Sequence, residues 1–218
     1  MDMAVVKALV KQGEGMHIEF KLKATHPEKI VREIVAFANT QGGTLLVGVS
    51  DDRQIKGVKF VDEEEFILTK AIAAYCHPPI PYELHHVPVT DERQLLVLTI
   101  LPSHQKPHYV LHDVGNRLGK AYVRVADKSI QASKEMREVL KGERKQRDIR
   151  FQYGEKEKRL IEYLAENQRI TVDQFAQIAT IPRQAASHTL VLLALAHVLK
   201  ITPHETEDFF TLAAAAEK

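Results

Sequence analysis

The chain has 218 residues, 44% of them hydrophobic and 27% charged, with a formal net charge of +1. Those totals suit a globular protein of one large or two small domains, and they exclude a chain drawn to nucleic acid or anionic lipid by its overall field. The single cysteine, Cys76, excludes an internal disulfide and a thiolate zinc cluster and fits a reducing cytosol. The longest apolar run, "TLVLLALAHVL", is too short for a bilayer span, which needs about 20 residues. The N-terminus carries no long apolar stretch with a small-residue cleavage site, so a cytoplasmic location without a membrane partner is expected.

In chain order, Val5, Val6, Leu9 and Val10 predict a short amphipathic helix that Gly13 stops. "HIEFKLK" alternates strictly: Ile18, Phe20 and Leu22 face one way, His17, Glu19 and Lys21 the other, as in a half-buried strand. A helix follows with Pro27 in its first turn and an apolar stripe of Ile30, Ile34, Phe37 and Ala38; Asn39, Gly42 and Gly43 end it. "TLLVGVSDDRQIKGVKF" predicts a buried strand, a turn at "DDRQ" and a second strand, and "DEEEFILTKAIAAYC" a helix stopped by "HPPIP". "YELHHVPV", "QLLVLTIL", "PHYVLH" and "KAYVRV" predict strands separated by turns at "TDER", "PSHQK" and "DVGNRLG". Residues 133–147 predict a charged linker helix. Helices and strands mix without a βαβ rhythm, so the first part is expected to be α+β.

Near residue 150 the pattern changes to three helices and a short hairpin, "ITPHETEDFFTL", with Thr171 capping the second helix and Pro182 opening the third. Three helices followed by a β-ribbon are the order of a winged helix-turn-helix. The expected divisions are residues 1–132, a linker helix over 133–153 and a small winged-helix domain over 154–218.

The acids of the first part admit two readings. Glu14 lies in a Gly-Glu-Gly turn before the first strand, Glu19 on that strand, and Asp51 past the end of "TLLVGV". If the strands are neighbours, the three carboxylates converge, and three close carboxylates need a cation. An oxygen-only set suits Mg²⁺ or Mn²⁺, which clamps a phosphodiester and activates water, with Lys21 neutralising a phosphate. The plainer alternative is a surface strand whose acids pair with nearby bases.

"EGMHIEFK" together with "IVAFANTQGGTLLVGVSDDRQIKGV" resembles the Schlafen/AlbA-like domain family. The resemblance rests on Glu14, Glu19, Phe20, Lys21, Ala36 to Asn39, Gly42, Gly43, Gly48, Val49, Asp51 and Gly57, and further on Lys106, Pro107, Tyr122 and Arg124. One departure stands out: Ala126 occupies a position where the family usually has Gly. The resemblance implies a mixed-sheet α+β fold and a nucleic-acid role. Many bacterial members fuse this domain to a helix-turn-helix and are called transcriptional regulators. Schlafen nucleases cut structured RNA with three acids whose motif positions are Glu14, Glu19 and Asp51 here. Those nucleases duplicate the domain, so a single copy implies a homodimer.

A P-loop is excluded: "GTLLVGV" has Val49 where lysine belongs, and "GNRLGKA" has a three-residue gap and ends in Ala121. His104, His108 and His112 are spaced four apart on a segment of strand character. That spacing spans about 13 Å, so they read as structural rather than as zinc ligands.

In the winged helix the third helix would offer Arg183, Gln184, Ser187, His188 and Thr189 to a major groove. Against this, residues 154–218 hold seven basic and nine acidic residues, and the wing "HETED" is acidic, which weakens phosphate attraction. This leaves dimerisation or partner binding as an alternative. Basic charge gathers instead at residues 134–150, seven basic against four acidic. There Arg144, Lys145 and Arg147, with Lys21, Lys23 and Arg124, are candidates for a phosphate-facing strip; a solvated helix with internal ion pairs is the alternative. The partners expected are therefore DNA or structured RNA.

Overall fold

The computed structural model describes residues 1–111, 119–145 and 153–213. Of the residues named above, His112, Arg147 and most of the "DVGNRLG" turn lie outside them, as does the side chain of Lys145. The chain divides into two compact units, Met1–Gln131 and Ala132–Lys218. Among the described residues no helix is long and apolar enough to cross a membrane.

The first unit is α+β. Its elements run α1 (Met3–Gln12), β1 (Ile18–Lys21), α2 (Pro27–Asn39), β2 (Gly43–Val47), α3 (Val61–Tyr75), β3 (Cys76–His77), β4 (Tyr82–Thr90), β5 (Arg93–Ile100), β6 (Tyr109–Val110), β7 (Tyr122–Val125) and β8 (Lys128–Gln131). Four strands form a mixed sheet in the order β1-β2-β5-β4, β1 running parallel to β2 and the other pairs antiparallel. β2 and β5 are continuous apolar runs because both of their faces are covered. Leu45, Val47, Leu96, Leu98 and Ile100 pack with α2 and α3. Leu46, Leu95 and Val97 pack on the other face with Ile18 and Phe20 of β1 and with Val6 and Val10 of α1.

β7 and β8 form a separate hairpin, and β7 packs against α2. The strand expected after "DDRQ" is reduced to isolated bridges, Val49 to Ile55 and Val58 to Gln94. There the backbone doubles onto Gly48, whose carbonyl accepts from both Lys56 and Gly57. Gly48 has φ +104°, and a Cβ on it would lie 2.9 Å from the Gly57 Cα, so only glycine fits this crossing.

The second unit comprises α4 (Lys134–Lys145), α5 (Glu155–Asn167), β9 (Arg169–Ile170), α6 (Val172–Ala179), α7 (Arg183–Leu195), β10 (Leu199–Thr202) and β11 (Phe209–Leu212). The last two strands pair antiparallel, and β9 adds to β11 as a third strand. Thr171 caps α6, its Oγ1 accepting from the Gln174 N–H while the Gln174 side chain accepts from the Thr171 N–H. α4, expected as a linker, packs instead against α7 and buries Val139 in this unit's core beside Leu160, Phe175, Leu190 and Phe210. Leu190, Val191, Leu193 and Ala194 of the apolar run of α7 are buried in the same core.

Candidate functional site

The alternation of β1 puts Ile18 and Phe20 against α1 and turns Glu19 and Lys21 to the opposite face. That face is covered by α2, which contributes Glu33, and by the β7–β8 hairpin, which contributes Arg124 and Ser129. Arg124 is wholly enclosed, its side chain 0% exposed. Its two terminal nitrogens donate to Glu19 Oε2 and Glu33 Oε2, each at 2.6 Å. Nε donates to the Gly15 carbonyl at 3.0 Å, and further contacts at 3.3 Å reach the Ile18 carbonyl and Ser129 Oγ. The guanidinium lies over the Phe37 ring, 4.9 Å from its centroid.

Lys21 Nζ donates to the second oxygen of Glu19 and, at 2.9 Å, to the Phe20 carbonyl; Ser129 Oγ donates to Glu33. Burial raises the Glu33 pKa above its usual value, as does the neighbouring Glu19. The Ser129 hydrogen bond and the charges of Arg124 and Lys21 oppose the shift. Two carboxylates and two cations thus form one charge-balanced, hydrogen-bonded cluster joining β1, α2 and β7.

The three acids proposed for catalysis fall into three different surroundings. Glu14 is exposed and folds back along the open edge of β1, where its Oε1 accepts from the Phe20 N–H at 2.9 Å. That contact satisfies an edge donor in the plane of the sheet, whereas the Glu19 side chain stands off the sheet towards Arg124. Asp51 sits exposed in the turn after β2. Their ligand atoms do not all lie within 4.8 Å of one another. The group among the described residues that meets this spacing is Asp62, Glu65 and His86. Glu19 also has both oxygens committed to cations. In this arrangement Glu14, Glu19 and Asp51 do not fit a shared Mg²⁺ or Mn²⁺.

The candidates for a phosphate-facing strip differ in exposure. Arg124 is paired with Glu19 and Glu33 and has no exposed surface to offer, while Lys21 is paired with Glu19 and keeps 31% of its side chain exposed. Lys23 and Arg144 are exposed. On α7, Arg183 and Gln184 are exposed at the first turn and His188 a turn later. Arg183 Nε is 2.6 Å from Asp173 Oδ1, both side chains 58% exposed. Ser187 is buried and donates to Glu135 Oε1 of α4 at 2.6 Å, so it is held in the core of the second unit and is not available to read a base. Thr189 is buried as well. In the loop between β10 and β11, Glu205 and Glu207 are exposed. Asp208 is buried, which raises its pKa, and it accepts from the His204 N–H at 3.0 Å.

Sequence reasoning missed how the first unit uses Asn39. Its amide donates to the His108 and Tyr122 carbonyls, each at 2.9 Å, and accepts from the His108 N–H at 2.7 Å. The His108 ring is itself buried. Nδ1 lies 2.8 Å from the Pro78 carbonyl, which can only accept, so Nδ1 carries the proton and Nε2 accepts from Ser103 Oγ at 2.6 Å. Desolvation lowers the His108 pKa below its ordinary 6.5. Thr40 and Lys106 complete the junction: Thr40 Oγ1 accepts from the Arg124 N–H, and Lys106 Nζ donates to the Thr40 carbonyl. The signal was present in "AFANTQ" and "KPHYV", two motifs whose partnership no local pattern reveals.

The sequence model of the family described as Schlafen, AlbA_2 matches residues 14–133, more than half of the chain, and the chain belongs to that family. Among solved structures, the N-terminal domain of a RecG-related protein from Nitrosomonas europaea is similar at 23% identity, with a TM-score of 0.42 over 55% of this chain and 87% of that one. The DIP2311 protein from Corynebacterium diphtheriae is similar at 18% identity, with a TM-score of 0.43 over 62% of this chain; the match spans 30% of that chain. No curated protein sequence matches the chain.

Proposed function

We propose that this protein binds nucleic acid as a homodimeric transcriptional regulator of the cytoplasm, its Schlafen/AlbA-like unit joined to a winged helix-turn-helix over residues 154–218. The observation that carries this reading is the start of α7. α6 ends at Thr180 in the left-handed conformation, two residues follow, and α7 opens with Arg183 and Gln184 exposed, followed by His188. Arg and Gln are side chains that pair with guanine and adenine edges, and a helix of this kind presents its first turns to the major groove. The order α5, β9, α6, α7, β10, β11 supports the same reading.

A second reading, a module that meets a protein partner, draws support from the acidic β10–β11 loop, which repels phosphate. The endoribonuclease reading draws none from the commitments of Glu14 and Glu19 described above.

The test incubates the pure protein with duplex DNA and with total RNA, with and without Mn²⁺. Salt-sensitive binding of duplex DNA, weakened by Arg183→Ala and accompanied by no cleavage, is the expected result. Mn²⁺-dependent cutting abolished by Asp51→Asn, an exposed position, establishes the nuclease instead, and absence of both binding and cutting leaves the partner-binding module.

A further inference from the structure

The first unit contains a pocket of about 390 Å³ between the start of α2, the end of α3 and the β6–β7 region. Lys29 and Arg32 enter it from α2 and Lys120 from the residues before β7, against one carboxylate, Glu28. Among the described residues none of these three cations has a carboxylate within 4.0 Å. This contrasts with Arg124, whose charge is spent inside the fold. Tyr75 and Tyr122 supply aromatic surface to the same pocket, and Arg32 lies 5.8 Å from the centroid of the Tyr122 ring.

The walls are held by backbone bonds that do not involve the lining side chains. The Tyr122 carbonyl is tied to Asn39, the Tyr75 carbonyl accepts from the Leu111 N–H at 2.8 Å, and Val110 and Lys120 exchange both backbone bonds at 2.8 and 3.0 Å. A pre-formed cavity of this kind binds without first ordering its lining.

From this we infer that the pocket holds one nucleoside phosphate. Three cations with no carboxylate within 4.0 Å among the described residues suit a phosphate, which carries up to two negative charges and accepts charge-assisted hydrogen bonds. Tyrosine rings suit the flat face of a base, which any base presents. The volume lies at the small end of the range for ligand sites, roughly 300–1,000 Å³, which admits a single nucleotide and excludes a duplex. The inference deepens the nucleic-acid reading and rests on it, because the nucleotide is either free or the phosphorylated end of a single strand.

The experiment titrates the full chain by calorimetry with adenosine 5′-monophosphate, adenosine and inorganic phosphate. A parallel arm titrates a short single-stranded RNA bearing or lacking a 5′-phosphate. The variants are Lys29→Ala with Lys120→Ala, both exposed positions, and Tyr75→Ala, with circular dichroism melts confirming that each is folded. The monophosphate is expected to bind about tenfold or more tightly than adenosine, and the double lysine variant to lose about tenfold or more. Tyr75→Ala should weaken the monophosphate and leave inorganic phosphate unchanged. Preference for the 5′-phosphorylated strand identifies a strand end as the source, and binding of the monophosphate alone identifies a free nucleotide. No binding of the monophosphate at millimolar concentration, or binding indifferent to the lysine variants, overturns the inference. If nucleic acid still binds in that case, the wider reading stands without the pocket. If the monophosphate binds and no nucleic acid does, the pocket stands and the wider reading falls.

Discussion

Arg124 on β7 donates to Glu19 on β1 across a separation of 105 residues, at 2.6 Å and with no exposed guanidinium surface. This contact turns two candidate functional side chains into one structural joint. Removing the guanidinium leaves Glu19 and Glu33 enclosed without their shared cation. Arg124→Ala is therefore expected to destabilise the first unit by about 3–5 kcal/mol, as for other buried pairs broken on one side. Arg124→Lys should fall between the two, since a single ammonium cannot span both carboxylates and the two backbone carbonyls. Urea unfolding followed by circular dichroism measures both; an Arg124→Ala protein as stable as the parent contradicts the joint.

Asn39 makes three hydrogen bonds to backbone groups, two to His108 just before β6 and one to Tyr122 of β7. Asn39→Ala leaves a buried N–H and two carbonyls with fewer partners. Its expected effect is about 3 kcal/mol or more, at about 1–3 kcal/mol for each buried group left unsatisfied. Asn39→Asp should be at least as damaging, because a carboxylate keeps the acceptor and loses both donors to the carbonyls. The fall in thermal midpoint reports the effect.

His108 gives the stability a pH dependence of definite sign. Burial lowers its pKa in the native state, whereas the unfolded chain takes up a proton near the ordinary 6.5. Below that value the unfolded state binds more protons than the native state, so stability falls as pH drops through 6.5 towards the lowered native value, and the full contribution is present above 6.5. The unfolding free energy of His108→Gln should be lower at neutral pH and flatter between pH 7 and 5 than that of the parent. Equal slopes would remove His108 as the source.

Ala126 occupies the tight connection between β7 and β8 with φ +53°, a conformation that disfavours a Cβ. Ala126→Gly restores the residue usual in the family at this position and is expected to stabilise the hairpin by about 1 kcal/mol. A rise in thermal midpoint checks it, with Lys128→Gly as a control at a strand position, where glycine should destabilise.

Cys76 is buried, and its thiol is pushed up to about 12 by desolvation. The folded protein should therefore resist thiol reagents at pH 8 and react with one equivalent once unfolded in urea. The labelling rate then reports opening of the first unit, and rapid labelling without denaturant contradicts the burial.

What the sequence determined by itself was local. The strict alternation of "HIEFKLK", the stripe of Ile30, Ile34 and Phe37, the run "QLLVL" and the Thr171 cap each specify an element within a window of a few residues, and the structure has an element at each. The motifs around Glu14, Asn39 and Gly48 were enough to indicate the family. Which way a polar strand face looks was not legible, because exposure belongs to whatever covers that face. Glu19 on an alternating strand reads as solvent-facing until the β7 hairpin lays Arg124 over it. Likewise Ser187 precedes His188 and Thr189 on α7 and is buried, bonded to Glu135 of α4. Secondary structure follows from near neighbours along the chain; charge pairing and burial follow from residues brought together across 52 to 105 positions, and only the tertiary structure decides those.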